Sequence, residues 1–257
     1  MVNTEDAALP ATLGDTPGVV PTAAVTKTAG AALRDGQQAS LVLDTTIRQQ
    51  TSRNVIAETT TGDPGRVVVA GAHLDSVPEG AGINDNGSGS AALLEIAQKL
   101  GGSPPVGQKV RFAWWGAEEI GLVGSTKYVE GLSEADRARI ALYLNFDMVG
   151  SPNFIYGVYD ADESSFEASA PVPAGSEALE DLFEAYYSDN DIPYEDSEFS
   201  GRSDYQAFID VGIPASGLFT GAEQIKTAEQ ASIWGGTAGE QYDPCYHATC
   251  DTIDNVS

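Results

Sequence analysis

The chain has two histidines in all, His73 and His247, and each lies among residues suited to holding a metal ion. His73 sits in Gly71-Ala72-His73-Leu74-Asp75-Ser76, directly after the apolar run Val67-Val68-Val69-Ala70, and His247 closes Cys245-Tyr246-His247. Between them come Asp85 in Gly82-Ile83-Asn84-Asp85-Asn86-Gly87, the pair Glu118-Glu119 after Trp114-Trp115-Gly116-Ala117, and Asp147 in Leu144-Asn145-Phe146-Asp147-Met148. Imidazole with carboxylate is a donor set for zinc or a similar divalent ion. Two imidazoles and three carboxylates are too many for one tetrahedral zinc. They suit two ions sharing a carboxylate, with a spare glutamate left over as a base.

Taken singly, each element is ordinary. Asp85 beside Asn and Gly is turn composition, a Glu-Glu pair is commonly a solvated helix start, and a lone histidine before a polar loop is commonly a core or surface residue. The order carries the weight: His, Asp, Glu-Glu, Asp, His, each at the end of a strand-like run or at a helix entrance. Ligands collect at such strand ends in α/β sheets.

The elements that must position these residues alternate between strand and helix from residue 53 onward, which predicts an α/β sandwich. Strands are expected at 53–57, 66–71, 109–115, 143–146 and 213–219. Helices are expected at 88–100, 133–140, 176–187 and 203–211. In the first of these helices Leu93, Leu94, Ile96, Ala97 and Leu100 make the apolar face, and Gly101-Gly102 ends it. In the third, Leu179, Leu182, Phe183 and Tyr186 are expected to face inward. Residues 1 to about 50 differ from the rest, being rich in Ala, Thr, Gly and Val with no aromatic residue. There a strand is expected over 19–25, a helix over 26–33 and a strand over 40–46.

At 257 residues the chain is long enough for one sizeable α/β domain with a small appendage. The formal net charge of -25 argues against nucleic acid or an anionic membrane as partner. No apolar run of about 18 residues offers a membrane span. The start, Met1-Val2-Asn3-Thr4-Glu5-Asp6, has no basic n-region and no apolar h-region, so no signal peptide is expected in this stretch. Cys245 and Cys250 flank His247. As thiolates they could join a zinc site, but with no second cysteine pair a four-cysteine site is out of reach. As a disulfide they would close a short loop worth roughly 2 kcal/mol and stiffen the segment carrying Tyr246 and His247. The disulfide is the expectation, and it implies an oxidising, extracytoplasmic setting.

Read together, the motifs resemble a known family. Those around His73, Asp85 and Glu118-Glu119, then Leu144-Asn145-Phe146-Asp147-Met148-Val149-Gly150-Ser151, Gly201-Arg202-Ser203-Asp204-Tyr205, Gly217-Leu218-Phe219-Thr220-Gly221-Ala222 and Tyr242-Asp243-Pro244-Cys245-Tyr246-His247, are similar to the di-zinc aminopeptidases of the secreted bacterial leucyl aminopeptidase and aminopeptidase Y group. The resemblance runs in order from about residue 53 to the end. It implies a central mixed sheet of parallel and antiparallel strands flanked by helices, a three-layer α/β sandwich over residues 51–257. It implies two zinc ions bridged by Asp85, with His73 and Asp147 completing one and Glu119 and His247 the other. Glu118 would be the general base, Asp75 the carboxylate that orients the His73 imidazole, and Tyr246 the hydroxyl that stabilises the oxyanion.

The same resemblance places the substrate's free amine near Glu118, Asp147 and the backbone carbonyl of Arg202, and lines an apolar pocket with Met148, Gly201, Phe219 and Tyr246. It implies a secreted, monomeric peptidase acting on peptides with a free N-terminus and a large apolar first residue. Residues 1–50 resemble the closing part of a protease-associated domain, and the family's final helix is missing after Val256. Without that helix, apolar side chains near 213–219 are expected to be exposed. Other readings remain open: a zinc carboxypeptidase, a glutaminyl cyclase on the same fold, or an inactive fragment.

Overall fold

The apolar runs that precede His73, Glu118 and Asp147 become three adjacent strands of one sheet. In the computed structural model, residues 22–33, 36, 38, 40–44 and 49–257 are described. The chain divides into two compact units, Met1–Thr51 and Ser52–Ser257. In the first, α1 (Lys27–Ala32) starts at Thr26, whose hydroxyl caps the Ala29 amide. Residues 22–25 and 40–44, expected to be strand, have no regular structure, and the remainder of those two runs lies outside the described residues.

In the second unit the elements are β1 (Val55–Glu58), β2 (Asp63–His73), α2 (Gly89–Leu100), β3 (Gln108–Trp115), α3 (Val123–Gly131), α4 (Glu134–Arg137), β4 (Ile140–Phe146), β5 (Gly157–Tyr159), α5 (Ser176–Asp189), β6 (Glu195–Ser197), α6 (Tyr205–Ile209), β7 (Ala215–Phe219) and α7 (Ala228–Trp234). The strands form one seven-stranded sheet in the order β1-β3-β2-β4-β7-β5-β6. β3, β2, β4 and β7 run parallel, β1 pairs antiparallel with β3, β5 pairs antiparallel with β7, and β6 is parallel to β5. The expected mixed sheet is therefore present.

Side-chain alternation along β2 and β3 builds a core on each face. Val67 and Val69 with Ala113 and Trp115 join a core that contains Val129 of α3 and Phe208 of α6. Ala70 and Ala72 with Phe112 and Trp114 pack against Leu93 of α2. Both faces of the central strands are thus buried, which is why those runs are almost continuously apolar. Among the described residues no helix is long and apolar enough to cross a membrane.

Several expectations need correction. Leu94 and Ile96 are exposed, so α2 buries a narrower stripe than its five apolar residues suggest. In α5 the inward stripe is rotated: Leu182 and Tyr186 are exposed, while Glu180 and Tyr187 are buried. The cause is specific, because Tyr187 stacks on Tyr156 and Tyr194, and Glu180 Oε2 accepts the amides of Ala161 and Asp162. The helix expected at 133–140 shrinks to the single turn of α4, since Ile140 already pairs into the sheet. Ile213 and Ala215 are buried rather than exposed, because β7 lies inside the sheet between β4 and β5.

Candidate metal centre

Parallel strands end on the same side of a sheet, and the site occupies that edge. His73 is the last residue of β2, Asp147 follows β4, and Glu118-Glu119 follow β3 by a short turn. Asp85 comes from the irregular turn at Ile83–Ser88 that leads into α2. His247 comes from the loop closed by the Cys245–Cys250 disulfide. Backbone strain marks the edge: Ala117, Met148 and His247 all take positive φ without being glycine.

The five residues named as ligands form two overlapping groups. His73 Nε2 lies 3.1 Å from Asp85 Oδ1 and 3.3 Å from Asp147 Oδ1. His247 Nε2 lies 3.1 Å from Asp85 Oδ2 and 3.0 Å from Glu119 Oε2. Each Asp85 oxygen therefore faces a different group. Donors about 2.0–2.2 Å from one tetrahedral ion are roughly 3.3–3.6 Å apart, so these spacings are close to those of ligands around an ion. Asp147 Oδ1 and Glu119 Oε1 are buried without a hydrogen bond, and buried carboxylate oxygens need a partner. The donor set and the orphaned oxygens both fit divalent ions.

The charges agree. Burial disfavours a charged His73, but Asp147, Asp85 and Glu118 outweigh it and raise its pKa well above the ordinary value. Burial likewise opposes His247, whose hydrogen bonds to Asp85 and Glu119 lift it to about 10. Asp85 is drawn down to about 2 against its burial by both imidazoles. Burial, with Asp147, Asp204 and Glu119 nearby, raises Glu118 well above the usual carboxyl range despite His73. The surrounding carboxylates thus favour protons on the imidazoles. A metal ion would displace them, since only neutral imidazole ligates.

Glu118 Oε2 is 4.0 Å from His73 Nε2, outside the closer groupings. The adjacent glutamates are aimed apart by Asp75, whose Oδ1 accepts the Glu118 amide at 3.0 Å and whose Oδ2 accepts the Glu119 amide at 3.3 Å. His73 Nδ1 meets the backbone carbonyl of Asp75 at 3.0 Å, with the carboxylate at 3.8 Å. Asp75 thus holds the imidazole through its main chain and the two glutamates through its side chain.

A cavity of about 360 Å³ opens over these residues. Met148, Arg202, Phe219 and Tyr246 line it, as do Ile155 and Tyr242; Gly201 does not, its amide donating to Tyr205 Oη. The wall also carries Glu195, Glu198 and Glu223, so it is less apolar than the sequence suggests.

Supporting residues escaped the sequence reading. A buried chain of hydrogen bonds runs from Trp115 Nε1 to Tyr143 Oη, then to Asn145 Oδ1; Asn145 Nδ2 donates to Ser203 Oγ, which donates to Asp147 Oδ2. Asp251 accepts the amides of Asn84 and Asp85, and Asp243 accepts from Asn84 Nδ2, Asn255 Nδ2 and the Cys245 amide. The pair Asp243 and Asp251 flanking the cysteine loop was the available clue. Gly71 leaves room for the chain, because a Cβ there would lie 2.3 Å from Tyr143 Oη and 2.5 Å from Trp115 Nε1. Gly71→Ala should destabilise the fold by about 1–3 kcal/mol through overpacking. Urea denaturation checks this, and an unchanged midpoint would show that the two rings yield freely.

The sequence profile of peptidase family M28 matches residues 54–257. The chain belongs to that family. Similar proteins include a probable lipoprotein aminopeptidase, LpqL, of Mycobacterium tuberculosis, 51% identical over 260 residues that cover 99% of this chain and 52% of LpqL. An aminopeptidase of Pseudomonas aeruginosa is 55% identical over 220 residues, covering 86% of this chain and 40% of that protein. This M28 chain therefore spans about half the length, or less, of these relatives. Among solved structures, a zinc aminopeptidase from Bacillus subtilis aligns with a TM-score of 0.62 and 29% identity, over 79% of this chain and 45% of that one.

Proposed function

We propose that residues 51–257 are the catalytic domain of a two-zinc aminopeptidase that removes a large apolar N-terminal residue. The observation that carries this reading is the pair of donor groups meeting at Asp85, with Glu118 beside them and a cavity above. His73 and Asp147 would hold one zinc, Glu119 and His247 the other, and Asp85 both. Bound there, the ions would supply Lewis acidity, lowering the pKa of a water and polarising the scissile carbonyl.

The chain's own groups then divide the work. Glu118 would take the proton of the attacking water and return it to the leaving amine. Tyr246 would donate its hydroxyl to the carbonyl oxygen as charge develops. Glu118, Asp147 and the carbonyl of Arg202 would receive the substrate ammonium, which sets the cut one residue from the end. Met148, Ile155 and Phe219 would take the first side chain. Residues 1–50 are proposed to be part of a protease-associated domain. The disulfide and the lipoprotein relative support action outside the cytoplasm.

The test is a pair of substrates. Leucine p-nitroanilide should be hydrolysed by the zinc-loaded protein, and its N-acetyl form should react at least about 10²-fold more slowly, because the lost ammonium is an ion pair made in a site of low dielectric. Equal rates on the two would refute amine recognition.

A further inference from the structure

Arg202 holds its neighbours in a way that the proposed role of its backbone carbonyl does not use. Its guanidinium lies at the cavity, Nη2 donating to Tyr246 Oη at 3.0 Å and Nη1 donating to Glu223 Oε1 at 2.5 Å. The Tyr246 ring also stacks on the His247 imidazole, with centroids 3.9 Å apart and planes 24° from parallel. The phenol is gripped by its ring at one end and by its oxygen at the other.

The ion pair has little to do with stability. The Arg202 and Glu223 side chains are 54% and 38% exposed, and pairs so open to water add little to the fold. Their geometry does more. A phenol hydroxyl carries one proton and acceptor lone pairs, whereas guanidinium donates and never accepts. With Arg202 occupying a lone pair, the Tyr246 proton must point elsewhere. The positive charge also draws density from the phenol oxygen, which makes the O–H a stronger donor. Glu223 fixes the guanidinium fork, so a long, rotamer-rich side chain need not be ordered at each turnover.

We propose that Glu223 and Arg202 form a relay that holds the Tyr246 hydroxyl with its proton turned toward the scissile carbonyl, making Glu223 and the Arg202 side chain positioning residues for catalysis. The relay rests on the aminopeptidase reading, in which Tyr246 stabilises the oxyanion. Its members come from three separate loops, and no local pattern at Glu223 announces it.

The test is a double-mutant cycle on leucine p-nitroanilide with zinc-loaded protein. Glu223→Ala should lower kcat about tenfold with KM within about twofold of wild type, since the oriented hydroxyl acts in the transition state. Glu223→Gln, which keeps an oxygen for Arg202 Nη1, should recover most of that loss. In a Tyr246→Phe background, Glu223→Ala should cost less than about twofold, because no hydroxyl is left to orient. Should Glu223→Ala fail to fold, Arg202→Lys, whose ammonium lacks the planar fork that spans Glu223 and Tyr246, takes its place in the cycle. A full loss in both backgrounds, or a loss confined to KM, overturns the relay and leaves the aminopeptidase reading standing. A wild-type protein that turns over no free-amine substrate overturns both.

Discussion

Glu118→Gln should leave the metal content unchanged while lowering kcat by about 10²–10⁴-fold, the usual contribution of a general base. The geometry separates it from its neighbour. Glu119 Oε2 is 3.0 Å from His247 Nε2, at ligand spacing, whereas Glu118 Oε2 is 4.0 Å from His73 Nε2. Both amides are fixed by Asp75, so the exchange of an oxygen for an NH₂ at Glu118 should disturb nothing else. Glu119→Gln should instead weaken one ion and spare the base. Metal analysis after dialysis, alongside kcat on leucine p-nitroanilide, decides it. Loss of metal from Glu118→Gln with activity retained would reverse the two roles.

Asp85→Asn should be as damaging by a different route. The wild-type protein is expected to bind two zinc ions per chain. Each Asp85 oxygen faces its own imidazole at 3.1 Å, and asparagine offers one oxygen and one NH₂ in their place. One position then loses a donor and gains a group that repels a cation. The variant should hold no more than one ion tightly. Its kcat/KM should fall by roughly 10³-fold or more, since an ion's several kcal/mol of transition-state stabilisation is lost at about 1.4 kcal/mol per tenfold. Calorimetric titration with zinc gives the stoichiometry. A variant that still takes up two ions at wild-type affinity, or a wild type that takes up one, would remove the shared carboxylate from the scheme.

The central strands were legible because burial on both faces leaves runs such as Val67–Ala70 with almost no polar residue, and a run that stops at His73 or Asp147 marks both strand end and site. β5 and β6 were not, being three residues each, too short to show a period of two; Glu195-Asp196-Ser197 reads as a loop. The rotated face of α5 is a tertiary effect, since a buried Glu180 makes sense only beside the amides of Ala161 and Asp162. The groups that brace the site were hidden for the same reason. Asn84 and Asp251 are 167 positions apart and Asn145 and Ser203 are 58 apart, and no local pattern ties such partners together.

The two imidazoles stand on unlike supports. His73 ends a strand bonded on both sides, is 1% exposed and sits under Ser90, whose hydroxyl binds its carbonyl. His247 is borne on an irregular loop at φ 54, its side chain 38% exposed, tied down through Asp243, Asp251 and the disulfide. In the two-ion scheme this asymmetry sets an order of loading. The first ion enters a seat already shaped by the sheet. The second would depend on a loop held by hydrogen bonds and one disulfide, so as zinc is withdrawn the ion at His247 should be the first to leave.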